Sequence, residues 1–330
     1  GLYRAADIER AKANLQRHQW ARDLLASYRS AAKFWMELPD DQIPFWIGED
    51  TPMRVMDCPK CGANWDYAWK FLPPDRVECT RCKLQLPHPD YPETGTETYL
   101  NPVGKRVTLR YYPGENGRKY RISALLRYQR ILRLDSLGAL GKVYALTGER
   151  AYAEKAVKVL RRLAEVYPGY LAHDWDHIYP DYSNLQSGKL SGWKLHDEGV
   201  FLQLGTCYDL IYNSGVLTED DKTLIENGAF RECARLLTAT SPRGCCTNDG
   251  PYAMSCGALL GVLLGDHDTV KWAVDHAEGF RNFVRRFFFR DGHWEDGSFS
   301  YEMMALGPLY ACPEILQGYS DPPAYTGADR

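Results

Sequence analysis

The sequence predicts a mainly α protein, an array of antiparallel helix pairs interrupted by a small β-rich insertion. Three observations predict it. From about residue 120 onward, apolar residues recur at helical spacing in segments joined by short connections. Residues 53 to about 118 lose that spacing, gain prolines and glycines, and alternate polar with apolar in short runs. Two Cys-x-x-Cys pairs fall inside that stretch. With 330 residues, 45% of them hydrophobic and 25% charged, the chain can bury a sizeable core as one large domain or two ordinary ones.

Taken in order, residues from about 6 to 37 read as one helix, with Asp7 as its cap and Ile8, Ala11, Leu15, Trp20, Leu24 and Leu25 as its stripe. Pro39, Pro44 and Pro52 end it. In the insertion, Arg106 to Tyr112 reads as a strand. Ile122 to Leu146 and Ala151 to Val166 form a helix pair joined at Thr147-Gly-Glu-Arg150. A polar, aromatic loop runs from His173 to Trp193. Leu195 to Asn213 follows, stopped by Ser214-Gly215, and Thr218 with Asp221 starts another helix through an acidic capping box. Further helices span Pro251 to Leu264, His267 to Phe288 and Ser300 to Leu316. The boundaries drawn are 1–52 for an N-terminal helical part, 53–118 for the insertion and 119–330 for the main helical array.

Of ten cysteines, Cys58, Cys61, Cys79 and Cys82 form two knuckles with the spacing of a four-thiolate zinc site. Such a site is coordinatively closed, so the zinc it predicts is a structural staple for an insertion poor in apolar residues. The basic and aromatic residues around it also allow a nucleic-acid ribbon, but Asp57, Asp66, Asp75 and Glu78 offset their charge. Cys207, Cys233 and Cys256 fall on apolar helical faces and read as buried small hydrophobes.

A net charge of −3 gives no global basic field, so nucleic acid is not an expected partner. No apolar run approaches the ~20 residues of a membrane span, and the first residues lack a signal-peptide pattern. No nucleophile elbow, phosphate-binding glycine loop or dinucleotide fingerprint occurs. The 22 tyrosines and 9 tryptophans suit either sugar faces or helix packing.

The residues with chemical promise lie at turns that open helices. Thr247-Asn-Asp-Gly-Pro-Tyr252 presents Asn248, whose amide can donate to a carboxylate without acting as a base, and carries Tyr252. Asp291-Gly-His-Trp-Glu-Asp-Gly-Ser-Phe-Ser-Tyr301 presents Tyr301, a phenol able to transfer a proton when cations lower its pKa. Arg243, Arg286 and Arg290 are candidate cations. His196, in Leu195-His-Asp-Glu198, is a candidate base or substrate contact. Trp175, Tyr179, Tyr182 and Trp193 are candidates to stack on sugar rings. Asn248 and Tyr301 together suit β-elimination at a uronic acid, in which the carboxylate is neutralised, the C5 proton removed and O4 protonated as it leaves. Glu198 paired with Glu295 or Asp296 would instead suit a glycoside hydrolase.

The sequence resembles the heparinase II/III-like superfamily of polysaccharide lyases. The resemblance rests on Ala11 to Ala21, Gln203 to Ile211, the Asn248 loop with the Ser255-Cys-Gly-Ala-Leu-Leu-Gly helix, and the Asp291 to Tyr301 turn. It implies an (α/α) toroid, complete or incomplete, that cleaves uronate polymers such as glycosaminoglycans or alginate. It places Asn248 at the carboxylate-neutralising position and Tyr301 at the catalytic tyrosine. The implied partner is an acidic polysaccharide, and the implied location secreted or periplasmic. Asp249 stands where the superfamily often has histidine, Phe299 replaces its usual proline, and Glu302 stands where histidine is common. Members usually add a C-terminal β-sandwich that contributes a catalytic histidine, and this chain has no such β-rich region after the helices. A uronyl epimerase or a non-catalytic carbohydrate-binding scaffold are the alternatives.

Overall fold

The computed structural model describes residues 2–174, 177–179, 187–239, 248–277, 279–294 and 297–323. Its helices are α1 (Ala5–Arg17), α2 (Gln19–Glu37), α3 (Ile43–Trp46), α4 (Trp65–Ala68), α5 (Ile122–Ile131), α6 (Gly138–Thr147), α7 (Arg150–Val166), α8 (Lys194–Ile211), α9 (Glu219–Ile225), α10 (Glu232–Ala239), α11 (Asp249–Leu264), α12 (His267–Asp275), α13 (Phe280–Arg286) and α14 (Phe299–Ile315). The strands are β1 (Trp69–Leu72), β2 (Arg76–Cys79) and β3 (Gln85–Leu86) in one antiparallel sheet, β4 (Gly95–Leu100), β5 (Arg106–Pro113) and β6 (Lys119–Tyr120) in another, and the short pair β7 (His173–Asp174) and β8 (His177–Ile178).

The helices form two rows, and the contact register shows how each runs. Gly138 faces Gln203 and Gly141 faces Cys207, so α6 and α8 are parallel. Gly199 faces Tyr252 and Gly205 faces Leu259, so α11 runs the same way; Tyr252 and Met304 line one cavity and, further along, Ser255 donates to the Pro308 carbonyl, so α14 runs with it too. Between α11 and α12 the order reverses, Gly257 facing Trp272 and Gly261 facing Val270. The connecting helices α7, α9–α10 and α12 therefore return the chain between parallel members of the first row, the connectivity of an (α/α) toroid.

Burial follows this arrangement. α11, packed on several sides, buries almost every residue from Gly250 to Gly261, whereas α7 buries one stripe and exposes the other face. A Cβ on Gly141 would lie 2.8 Å from the Cα of Cys207, so the close approach of α6 and α8 requires glycine there. Cys207, Cys233 and Cys256 are fully buried, as their positions on apolar faces predict.

Three long predicted helices are broken. His18 is extended, splitting the first into α1 and α2. Leu132–Ser136 tightens into a 3₁₀ turn between α5 and α6, which buries Leu134 and Leu137 together. The third splits into α12 and α13 where Gly279 passes so near Val274 that a Cβ would lie 2.8 Å from its carbonyl. Asp7 lies inside α1, which has no side-chain cap, whereas the Thr218–Asp221 capping box forms as read.

The β-rich stretch is welded to the helices. Met56, Cys58, Val77, Cys79, Leu84 and Leu86 share one continuous apolar core with Ile122, Leu125 and the rest of the array. Arg130 of α5 pairs with Asp75 at 2.8 Å, and Phe71 packs edge-on against Tyr128.

Candidate active site

A cavity of about 300 Å³ opens at the N-terminal end of the parallel row. Tyr128 and Asp135 line it from the α5 segment, Ser191 and His196 from the start of α8, Tyr252 from α11 and Met304 from α14. Parallel helices explain the convergence, because their first turns meet at one end and leave N–H groups and connecting loops there.

His196 is the best-defined functional group in it. Its Nδ1 lies 2.8 Å from Ser191 Oγ and its Nε2 3.4 Å from Arg54 Nη1. A guanidinium cannot accept, so Nε2 holds the lone pair and Nδ1–H donates to Ser191 Oγ. The hydroxyl of Ser191 is in turn placed to donate to the Trp193 carbonyl, 3.2 Å away. Burial first, and the Arg54 charge second, push the imidazole pKa down to about 4. His196 is therefore a neutral base at physiological pH.

Arg54 comes from the segment just before the first cysteine knuckle. Its guanidinium lies over the Trp65 ring at 4.7 Å, 5.6 Å from the Trp193 ring, and pairs with Asp66 at 3.3 Å. Trp65 opens α4, between the two knuckles, and its backbone N–H is held by Asp57 Oδ1. The Cys58, Cys61, Cys79 and Cys82 sulfurs all lie within 4.8 Å of one another, with Cys58–Cys82 at 3.6 Å and Cys61–Cys79 at 3.7 Å. Four thiolates at ~2.3 Å from a tetrahedral metal stand ~3.8 Å apart, so the two sulfur pairs at 3.6 and 3.7 Å match the spacing such an ion needs.

Asn248 is the half-buried residue that leads into α11, one turn before Tyr252 on the same face. Tyr301 is in the first turn of α14, one turn before Met304, with about half its surface (49%) exposed. Both thus stand one turn nearer the helix starts than the residues that line the cavity.

Other sequence candidates fall elsewhere. Glu198 is fully buried, and neither carboxylate oxygen has a hydrogen bond among the described residues. Burial, opposed by Lys194 and reinforced by Asp249 and Asp197, pushes its pKa up to about 8; it is an uncharged acid beneath the site and not a surface for substrate. Trp193 is half-buried against Trp65 and Arg54. Tyr179 packs against His177, apart from the cavity lining, and Arg290 is exposed on the turn between Phe288 and Trp294. Trp175, Tyr182 and Arg243 lie outside the described residues. Sequence reasoning missed Arg54, Tyr128, Asp135 and Ser191, which no local motif marks; only their convergence on His196 and its cavity identifies them.

No protein-family model matches the chain. Over 182 residues, 53% of its length, it is 28% identical to an alginate lyase of Stenotrophomonas maltophilia (strain K279a). The match spans only 23% of that relative. An alginate lyase structure from Bacteroides ovatus superposes over 96% of this chain and 76% of its own, with a TM-score of 0.53 and 13% identity. The structure of alginate lyase A1-III complexed with a tetrasaccharide gives a TM-score of 0.45 over 74% of this chain at 17% identity, too low to carry an argument. The fold is an (α/α) toroid, shared with the Bacteroides ovatus structure. Among the described residues, no helix is long and apolar enough to cross a membrane.

Proposed function

We propose that this chain is the toroid of a polysaccharide lyase that cleaves a uronate polymer by β-elimination, with alginate the first candidate substrate and the heparinase II/III-like superfamily its wider kin. One observation carries this reading: a neutral imidazole shares a cavity with Tyr252 where the first turns of three parallel helices meet, with Asn248 and Tyr301 one turn away. The sequence relationship to an alginate lyase supports the substrate class. In this mechanism Asn248 donates its amide to the uronate carboxylate and His196 takes the C5 proton. The C5–H electron pair becomes the C4–C5 double bond, the C4–O4 bond breaks, and Tyr301 protonates the departing O4. A substrate of this kind places the protein outside the cytoplasm, secreted or periplasmic.

The four cysteines hold a structural zinc in this reading. Residues 53–118 form the insertion it staples, between helical parts at 1–52 and 119–330. The burial of Glu198, without a polar partner among the described residues, counts against a hydrolase built on it.

The test is an absorbance assay with alginate, hyaluronan, chondroitin and heparan sulfate. Elimination leaves an ultraviolet-absorbing double bond conjugated to the carboxylate, whereas hydrolysis yields reducing ends without one. Tyr301→Phe is expected to slow product formation by about 10²–10⁴-fold with the fold intact. An undiminished rate would remove Tyr301 from the acid's role.

A further inference from the structure

The insertion has so far served as a staple, yet Arg54 at its edge lies against the presumed base. We propose that Arg54 is the cation that, together with the Asn248 amide, receives the carboxylate of the uronate whose C5 proton His196 removes, which makes the cysteine-bearing segment a wall of the substrate site. The inference rests on the β-elimination reading above.

Three features of Arg54 support it. Its guanidinium lies over Trp65 and beside Trp193, so its plane is fixed before any ligand arrives. A quarter of its side chain stays accessible, next to the cavity that Tyr128, Ser191 and His196 line. Its two polar contacts, to His196 Nε2 at 3.4 Å and Asp66 at 3.3 Å, are longer than charge-assisted hydrogen bonds. An incoming carboxylate can therefore displace the imidazole from Arg54 at small cost and free the Nε2 lone pair.

The spacing also suits the chemistry. In a uronate the acidic hydrogen and the carboxylate group are both borne by C5, so base and cation must stand a few ångströms apart. Arg54 Nη1 and His196 Nε2 are 3.4 Å apart. In the elimination the C5 proton passes to Nε2 and O4 leaves with the C4–O4 electron pair and takes a proton from Tyr301, while Arg54 keeps its protons throughout. The groups around His196 are Arg54 from the insertion edge, Tyr128 and Asp135 from the α5 segment, Ser191 before α8, and Tyr252 from α11. Among them, Arg54 holds the imidazole pKa down after burial itself. Its pairing with a carboxylate would raise the basicity of His196 when substrate is in place.

The experiment compares wild type, Arg54→Met and Arg54→Lys on alginate and on its methyl ester, with metal content and circular dichroism as controls for folding. Arg54→Met is expected to lower kcat/KM on alginate by about 10²-fold and to lower it much less on the ester, which offers no charge to bind. Arg54→Lys should restore part of the loss, since it keeps the charge but not the fork. In Arg54→Met the acidic limb of kcat/KM should also move up from about 4, part of the way toward the ordinary histidine value of 6.5. Equal losses on acid and ester, or an unmoved acidic limb, would overturn the assignment. If Arg54→Met loses its metal, Arg54→Lys with metal bound decides: a partial loss on alginate that is smaller on the ester supports a charge contact, and a loss equal on acid and ester overturns it. Wild type that eliminates no uronate polymer refutes the underlying reading. Wild type that is active beside an equally active, folded Arg54→Met refutes only the role of Arg54.

Discussion

Two parts of the molecule of different construction meet at His196. The wall formed by α8, α11 and α14 is held by apolar burial and by glycines that bring helix backbones together, as at Gly141 and Gly205. Beside the cavity and against His196, Arg54, with Trp65 under its guanidinium, belongs to a segment with short strands and two cysteine knuckles. The helix wall positions His196 through the first turn of α8. The Arg54 guanidinium fixes its tautomer and, second to burial, helps hold it neutral. Position and protonation state of one residue are therefore governed by two parts of the molecule whose stabilities have different origins.

The sharpest way to break that comparison is to remove the metal ligands. On the proposed reading, the double variant Cys58→Ser, Cys82→Ser loses the zinc and nearly all elimination activity, because Arg54 and Trp65 lose their support. Most of the helical circular dichroism should survive, since α6, α8 and α11 bury their own core. Metal analysis, activity and far-ultraviolet spectra on one preparation check this. Full activity without metal would show that packing of the segment on α5 suffices by itself.

A second prediction probes the helix wall. Glu198 is buried as an acid, its pKa raised from 4.5 to about 8 by burial foremost. The folded protein thus holds a proton that the unfolded chain releases near 4.5. Between those values the folded state binds more protons, so stability falls as pH rises from 4.5 to 8 and levels off above. Glu198→Gln removes that dependence. It is expected to match wild type near pH 5 and to exceed it at pH 8.5 by on the order of a few kcal/mol. Thermal melts at the two pH values measure it, and a variant less stable at pH 8.5 would mean that the ionised carboxylate serves the fold.

What the sequence made legible divides along the same line. The knuckles, the helix pairs and the Thr218 cap are written in local patterns, because sulfur spacing, apolar period and capping residues act over a few positions. The starts of α11 and α14 were legible for the same reason, and with them the places of Asn248 and Tyr301. Arg54 and Ser191 were not. They meet His196 from 142 and 5 residues away, and the longer of these contacts exists only because the insertion folds back onto α8. Nor did composition reveal the helix breaks at His18 and Gly279, which depend on what each segment packs against. Glu198 was read from its chemistry as a group for substrate, but it is fully buried, as is Asp197 beside it, and a helix start gives no sign of what will cover it.

The smallest effect belongs to the outer row, far from the cavity. In the Thr218 capping box the hydroxyl accepts from the Asp221 N–H at 3.1 Å, while the Asp221 carboxylate accepts from the Thr218 N–H at 2.9 Å. Asp221 also pairs with Arg161 of α7, and its pKa is lowered, with hydrogen bonds and Arg161 outweighing burial. Thr218→Ala removes one half of the box and is expected to cost about 1 kcal/mol. Denaturant unfolding should register that loss, with kcat/KM unchanged, because α9 only returns the chain from α8 toward α11 and contributes no group to the cavity. A fall in kcat/KM at constant stability would show instead that the outer row sets the position of α11, and that the helix wall is less self-sufficient than its burial implies.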